Sequence, residues 1–365
     1  MALLFSEGFE QYTNSSELIY GRYYGTSAMS GKWGWVGGAY CYVDGTGYRT
    51  SQPGGATSKS LRYSISGAST SYNVLYLPGT TTMIIGFAFY TSVLSNGVVR
   101  IGSPSIPNWN GSNNYLTFNV NSSGQVTLLN SRTGIYLIAT PVSTVLPSVW
   151  YYVEIKVTYG VSGSAEIRLD NLSVGSATSV DTRTHTSDTA FSQVCFGFAA
   201  PASANTTMYF DDLYVCDDTG ATNNDFLGPV SIYTLFPTAN GSINQFTPTG
   251  VANNWDAVNE QAVDTTTYVS SSTTNHVDKY NVTDLPYSPS VIHAVGVGSM
   301  ATKTENSGRQ YRNIVTVGGT TSNGATASPA FSSYYMSQDV FPLAPGGSAW
   351  TASDVNSMEI GVECL

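Results

Sequence analysis

The sequence predicts an all-β protein of two domains. Three observations carry this: a composition suited to strands and turns, apolar residues that recur at every second position, and turn pairs placed between the runs. Of 365 residues only 10% are charged, against roughly 25% in ordinary soluble domains. Aromatics make up 12%, with 25 Tyr, and there are 36 Gly. Tyr, Thr and Val fit a pleated, half-buried surface, while Gly, Asn and Ser fit turns. The same mixture forms helices poorly, because Gly and β-branched residues cost helix stability.

The alternation is clear in five places. Met83, Ile85, Phe87 and Phe89 share one face of a strand predicted over 83–90. Tyr151, Val153, Ile155, Val157 and Tyr159 share another, with Glu154 and Lys156 opposite. Ile167 and Leu169 face away from Glu166, Arg168 and Asp170, Val194 aligns with Phe196 and Phe198, and Met358, Ile360 and Val362 oppose Glu359 and Glu363. A period of two predicts antiparallel sheets with one wet face. Asp44-Gly45, Asn110-Gly111, Ser123-Gly124, Asn240-Gly241 and Asn323-Gly324 are strong turn pairs. Only 254–262 and 17–23 suit a short helical turn, and no fixed-period repeat or heptad is present. The polar stretch 217–225, followed by Pro229, predicts a boundary, with domains at 1–220 and 229–365.

The formal charge of −10 argues against a nucleic-acid partner, which needs clustered cations. It argues equally against docking on anionic membranes. No stretch approaches the apolar length of a membrane span. The start, MALLFSEGFE, has a short apolar run without a basic flank, so no export leader is expected. The cysteines, Cys41, Cys195, Cys216 and Cys364, form no CxxC pair, which disfavours zinc. Cys195 and Cys216 fall on consecutive predicted strands, where they either bridge or stay reduced.

No catalytic constellation stands out, and a non-enzymatic protein is expected. Two carboxylates on one strand face, as in a Glu-x-Asp-x-Glu run, would suit a glycosidase. Glu154 stands alone, and Glu166 and Asp170 are expected on the solvent side. His185, His276 and His293 have no partner at metal-ligand spacing. A Ser-His-Asp set from distant positions stays open. Aromatics are the better candidates for a glycan or partner contact: Trp33 and Trp35 in a Gly-rich stretch, and Trp109 in Pro107-Asn108-Trp109-Asn110-Gly111. Core packing is the alternative for Trp33 and Trp35, whose spacing suits one strand face.

Gly8-Phe9-Glu10, Ser60-Leu61-Arg62-Tyr63, the strand over 83–90, Trp150 to Ile155, Ile167 to Asn171 and Tyr209 to Val215 follow one another in an order that resembles concanavalin-like, laminin-G-like jelly rolls. The resemblance covers most of 5–218. It implies two packed sheets used for glycan binding, adhesion or assembly. It also implies that first and last strands lie together, with Glu10, Asp211 and Asp212 helping to hold a structural calcium; solvated aspartates at a strand bend are the alternative. Apolar positions change phase between Phe210 and Leu213, which predicts a β-bulge at Asp211 or Asp212.

In the second half, Asn253 to Glu260, Asp264 to Val269, Ile292 to Val295 and Trp350 to Asn356 resemble a β domain of bacteriophage virion proteins. Thr351 with Asp354 matches a capping box with Asp in place of Glu, and a short cap-like turn is expected there. The resemblance implies a structural virion component, a decoration, collar or tail-associated subunit, located in the virion and contacting other virion proteins, with homo-oligomers expected from particle symmetry. The alternative is a glycan-binding adhesin that attaches to a host surface.

Overall fold

The computed structural model describes residues 2–10, 35–37, 41–44, 59–65, 71–94, 97–104, 114–198, 206–261, 265–332 and 334–365. The candidates Trp33 and Trp109, and the segment 17–23, lie outside the described residues. The structure is nearly all β, as expected. It divides into one unit that runs to Ile232 and a second over Tyr233–Leu365.

The first unit contains β1 (Leu3–Glu7), β2 (Trp35–Gly37), β3 (Cys41–Asp44), β4 (Ser60–Ile65), β5 (Ser71–Thr80), β6 (Thr82–Thr91), β7 (Gly97–Gly102), β8 (Leu116–Val120), β9 (Val126–Asn130), β10 (Ile135–Ala139), β11 (Trp150–Thr158), β12 (Gly163–Leu169), β13 (Leu172–Val180), β14 (Phe191–Phe198) and β15 (Thr206–Cys216). They form two antiparallel sheets. One has the order β13-β12-β11-β6-β15-β4-β3 with β1 on β15, and the other β10-β9-β8-β7-β14-β5-β2. First and last strands pair, Phe5 with Val215 and Glu7 with Leu213.

The core lies between the sheets. Phe87 meets Phe118 and Phe196 edge-on at 5.9 and 5.6 Å, and Phe196 meets Phe210 at 5.5 Å. Such edge-to-face contacts add to area burial. The predicted bulge is present: the β15–β6 register shifts between Asp211 and Tyr214, and Asp212 has φ +50°. Cys195 and Cys216 are buried and free, and β14 and β15, consecutive in sequence, belong to different sheets.

One expectation is corrected. Strand β6 is buried on both faces, and Glu154, expected on a wet face, has no exposed surface. The cover is the chain itself. Beyond β15, residues 225–232 run over the outer face of the eight-stranded sheet. Asp225 pairs with Lys156 at 2.9 Å, and the Phe226 ring lies 4.0 Å from the Arg168 guanidinium. The Ile232 N–H donates to Asp212 Oδ1 at 2.8 Å. The segment that follows the polar stretch 217–225 therefore packs on the first unit.

The second unit contains β16 (Pro237–Asn244), β17 (Thr247–Thr249), β18 (Tyr268–Ser270), β19 (Val277–Val282), β20 (Val295–Ala301), β21 (Tyr311–Val317), β22 (Thr320–Asn323), β23 (Tyr335–Phe341) and β24 (Glu359–Cys364). A five-stranded sheet, β16-β19-β24-β21-β22, accompanies the pairs β20-β23 and β17-β18. Val297 and Phe341 from the β20-β23 pair share a core with Val315, Trp350, Val355 and Met358. Helix α1 (Ala352–Ser357) has a complete capping box. The Thr351 N–H donates to Asp354 Oδ2 at 2.9 Å and the Asp354 N–H to Thr351 Oγ1 at 3.1 Å, so the shorter carboxylate still reaches. Among the described residues of 254–262, Trp255–Ala257 forms a 3-10 helix.

Candidate functional site

On the outer face of the seven-stranded sheet, a groove of about 380 Å³ is lined by Asn119, Asn121, Gln125, Thr127, Tyr136 and Ala139. The strand period explains the lining. Phe118, Val120, Val126 and Leu128 fill the core, so the residues between them face outward. Cross-strand register then aligns Asn119 with Thr127 and Thr127 with Ala139. A second row aligns Thr117 with Leu129 and Leu129 with Tyr136.

The β8–β9 turn pre-sets the amides. Asn121 Oδ1 accepts the N–H groups of Ser123 at 2.9 Å and Gln125 at 3.1 Å. Its Nδ2 donates to Gln125 Oε1 at 3.0 Å, and Gln125 Nε2 donates to the Thr140 carbonyl at 2.6 Å. Gly124 closes the turn at φ +68°, where a Cβ would lie 2.2 Å from the Val145 carbonyl oxygen. A primary amide has two N–H donors, so each of these amides keeps one beyond these bonds. Thr127 is 4% exposed, and its Oγ1 has no hydrogen-bond partner among the described residues. An unsatisfied buried hydroxyl costs about 1–3 kcal/mol. Tyr136 on edge strand β10 is 61% exposed and offers its ring at the rim.

A second polar cluster lies beneath 225–232. Glu154 Oε1 accepts from the Tyr214 hydroxyl and from the Gly228 N–H at 2.8 Å. The same hydroxyl accepts from the Leu227 N–H at 3.1 Å. Gly86 opposite leaves room for the ring, since a Cβ there would sit 2.0 Å from Tyr214 Cε1. Burial and the Glu154 carboxylate push the Tyr214 phenol well above the usual tyrosine range, so it stays protonated. Burial likewise raises the Cys195 and Cys216 thiols, which disfavours them as nucleophiles.

The residues expected at a calcium site are partly brought together. Glu10, raised well above the usual carboxylate range, owes this to burial first and then to Asp212, with Glu7 adding. Asp211 Oδ1 accepts from the Asp212 N–H at 2.8 Å, and Tyr152 donates to the Asp212 carbonyl at 2.9 Å. These are hard oxygens of the kind calcium takes. Among the described residues, however, no three His, Cys, Asp or Glu side chains form a metal-holding group. Calcium here is a proposal resting on the Glu10–Asp212 pairing.

Trp35 stands in β2 opposite Val74. Glu166 binds Arg168 at 2.8 Å, and Asp170 turns back to accept from the Tyr152 N–H at 2.9 Å, so the two do not form an acid pair. Ser187 Oγ lies 2.8 Å from His185 Nδ1, and Asp188 lies 3.9 Å from the same nitrogen; a relay needs both ring nitrogens. Sequence reasoning missed Asn119, Gln125, Thr127 and Tyr136. Their signal was ordinary polar alternation, which any wet face gives.

No family model matches the chain, and no curated protein does. Among solved structures it is similar to an alginate lyase in complex with an alginate tetrasaccharide, at 14% identity and TM-score 0.38, over 59% of this chain and 96% of the other. It is also similar to an endo-β-1,4-glucuronan lyase from the fungus Trichoderma reesei, at 12% and 0.36, over 52% and 92%. A carbohydrate recognition domain in metal-free form aligns at 11% and 0.30, over 42% and 81%. At these values the likeness carries no argument about residues or mechanism. The expectation of a non-enzyme is nevertheless corrected, since polysaccharide lyases stand among these structures. The missing carboxylate run removed only one hydrolase arrangement. Groups from separate strands meet without any run, as Glu154 and Tyr214 do across 60 positions.

Proposed function

We propose that the first unit binds a glycan in the groove formed by β8, β9 and β10. The observation that carries this is the pair of amides Asn121 and Gln125, held in place by the β8–β9 turn with one N–H each beyond their own bonds, in a groove rimmed by the exposed Tyr136 ring. A few placed polar groups beside an aromatic ring are the usual makeup of a small-molecule site. Sugar hydroxyls accept from such N–H groups, while the Tyr136 ring gives their C–H surface a face to rest on. The lyase and the carbohydrate recognition domain to which the fold is similar are named for glycans.

Isothermal titration against an oligosaccharide panel tests the reading. Gln125→Met, which removes the amide, should weaken binding by about 1–3 kcal/mol, and Tyr136→Ala by about 1 kcal/mol. Equal affinity in both variants would remove the groove from the mechanism.

The proposed setting is attachment to a host surface as part of a bacteriophage particle, among other virion proteins and in oligomers. It is supported by the second-unit resemblance at 264–269 and 350–356. Absence of the chain from purified particles by mass spectrometry would sink the setting and leave the groove untouched.

A further inference from the structure

We infer that the groove selects uncharged glycans and rejects carboxylated ones; this rests on the glycan-binding reading and specifies its ligand. The six lining residues supply amides, hydroxyls and a methyl group. None carries a charge near neutral pH. A carboxylate brought into such a groove loses hydration without meeting a cation, which is costly. Among the described residues, the cations of this side are engaged elsewhere. Arg100 aligns with Thr117 in the neighbouring row and holds its guanidinium 5.0 Å from the Tyr115 ring centroid. Arg132 pairs with Asp181 at 2.6 Å, and Arg183 pairs with the same carboxylate at 2.9 Å. Lys156 and Arg168 belong to the other sheet. The chain's formal charge of −10 adds a long-range repulsion toward polyanions.

The chemistry of the free groups agrees. The hydroxyl of the exposed Tyr136 can donate and accept, and the spare amide N–H groups of Asn121 and Gln125 donate. A neutral sugar offers hydroxyls for both roles. A carboxylate offers acceptors only, and here it would be held by neutral donors alone, without the charge assistance that makes such bonds strong.

The experiment is calorimetry of the full chain with neutral gluco-, manno- and xylo-hexasaccharides and with uronate hexasaccharides, at about 20 and about 500 mM salt. Neutral binding that changes less than about twofold with salt, with uronates at least about tenfold weaker, is the expected result. Uronate binding as tight as neutral binding, and weakened by salt, would overturn the inference while preserving the glycan reading. Binding of neither class would overturn both. Asn119→Lys provides the converse arm: a cation placed in the groove should bring uronates in, salt-dependently. An unchanged uronate affinity in a folded Asn119→Lys protein would show that charge at the lining does not decide selection, and would also count against the inference.

Discussion

Replacing Tyr214 with Phe should destabilise the first unit by about 2–4 kcal/mol. The hydroxyl donates to Glu154 Oε1 and accepts from the Leu227 N–H. Glu154 has no exposed surface, and its Oε2 has no partner among the described residues. After the change the carboxylate retains the Gly228 N–H alone. A hydrogen bond to a charged group contributes about 1.5–3 kcal/mol, and leaving the charge under-satisfied is the larger part of the loss. The Leu227 N–H adds less, because its surroundings are only half-buried and water can replace the phenol. The ring itself stays, so the space beside Gly86 remains filled and no cavity cost enters.

For a unit of this size, about 3 kcal/mol lowers Tm by roughly 6–12 °C. Differential scanning calorimetry reads the shift, and amide exchange at Leu227 and Gly228 reads release of the overlying segment. The double variant Tyr214→Phe/Glu154→Leu removes both polar partners, so it should be less damaged than the sum of the singles by at least about 1 kcal/mol. A Tyr214→Phe protein within about 0.5 kcal/mol of wild type, with Leu227 exchange unchanged, would refute the reasoning.

Further outcomes follow from the same groups. Tyr214 and Tyr280 both have phenols raised by burial and by their carboxylate partners, Glu154 and Asp278. A raised folded value means stability is complete below the unfolded tyrosine value, near 10, and is lost above it, by about 1.4 kcal/mol per pH unit per tyrosine; urea unfolding from pH 9 to 11 checks this, and a flat profile contradicts it. Glu10 is raised too, so its contribution is complete below the unfolded Glu value and lost as pH rises through the folded one. Glu10→Gln should therefore stabilise the first unit at pH 7 and not at pH 4. If calcium binds there, adding it should raise the melting temperature of wild type and leave Glu10→Gln unmoved; no shift in either dismisses the calcium proposal. In the second unit, Thr351→Ala removes one half of the capping box and should cost about 1 kcal/mol, read by the urea midpoint.

The one apolar stripe of β12 was legible before the structure and alternates in burial as its sequence does, whereas β11, β14 and β24 bury residues on both faces or out of period. The bulge at Asp212 was legible because an extra residue must change the phase of the apolar positions. Glu154 was misplaced for a reason no strand pattern contains. Its cover comes from 225–232, which follows the polar, turn-rich 217–225 and falls in the predicted boundary region, so that its role shows only in the Lys156–Asp225 and Arg168–Phe226 contacts. The groove was illegible for a different reason. Asn119, Thr127 and Ala139 become neighbours only through the registers of three strands, and a one-residue slip in any of them would send its side chains to the core.

The location of the proposed binding face follows from what covers each sheet. On the eight-stranded sheet, the outer positions around Glu154 and Tyr214 are occupied by the chain's own 225–232 segment. Farther along the same face, Tyr90, Trp150 and Tyr209 form a half-buried aromatic cluster with centroids 5.5 to 6.2 Å apart. Their planes are inclined to one another by 45°, 67° and 41°, so the rings satisfy each other's edges rather than present one flat platform. Such cross-strand aromatic contacts stabilise a sheet. The seven-stranded sheet differs over β8, β9 and β10. There Asn119, Asn121, Gln125 and Thr127 line a groove, the amides of Asn121 and Gln125 each keep an N–H, and the Tyr136 ring stands exposed at the rim. A ligand that needs both hydrogen-bond partners and a free aromatic face finds them together, among the described residues of the sandwich, on that side.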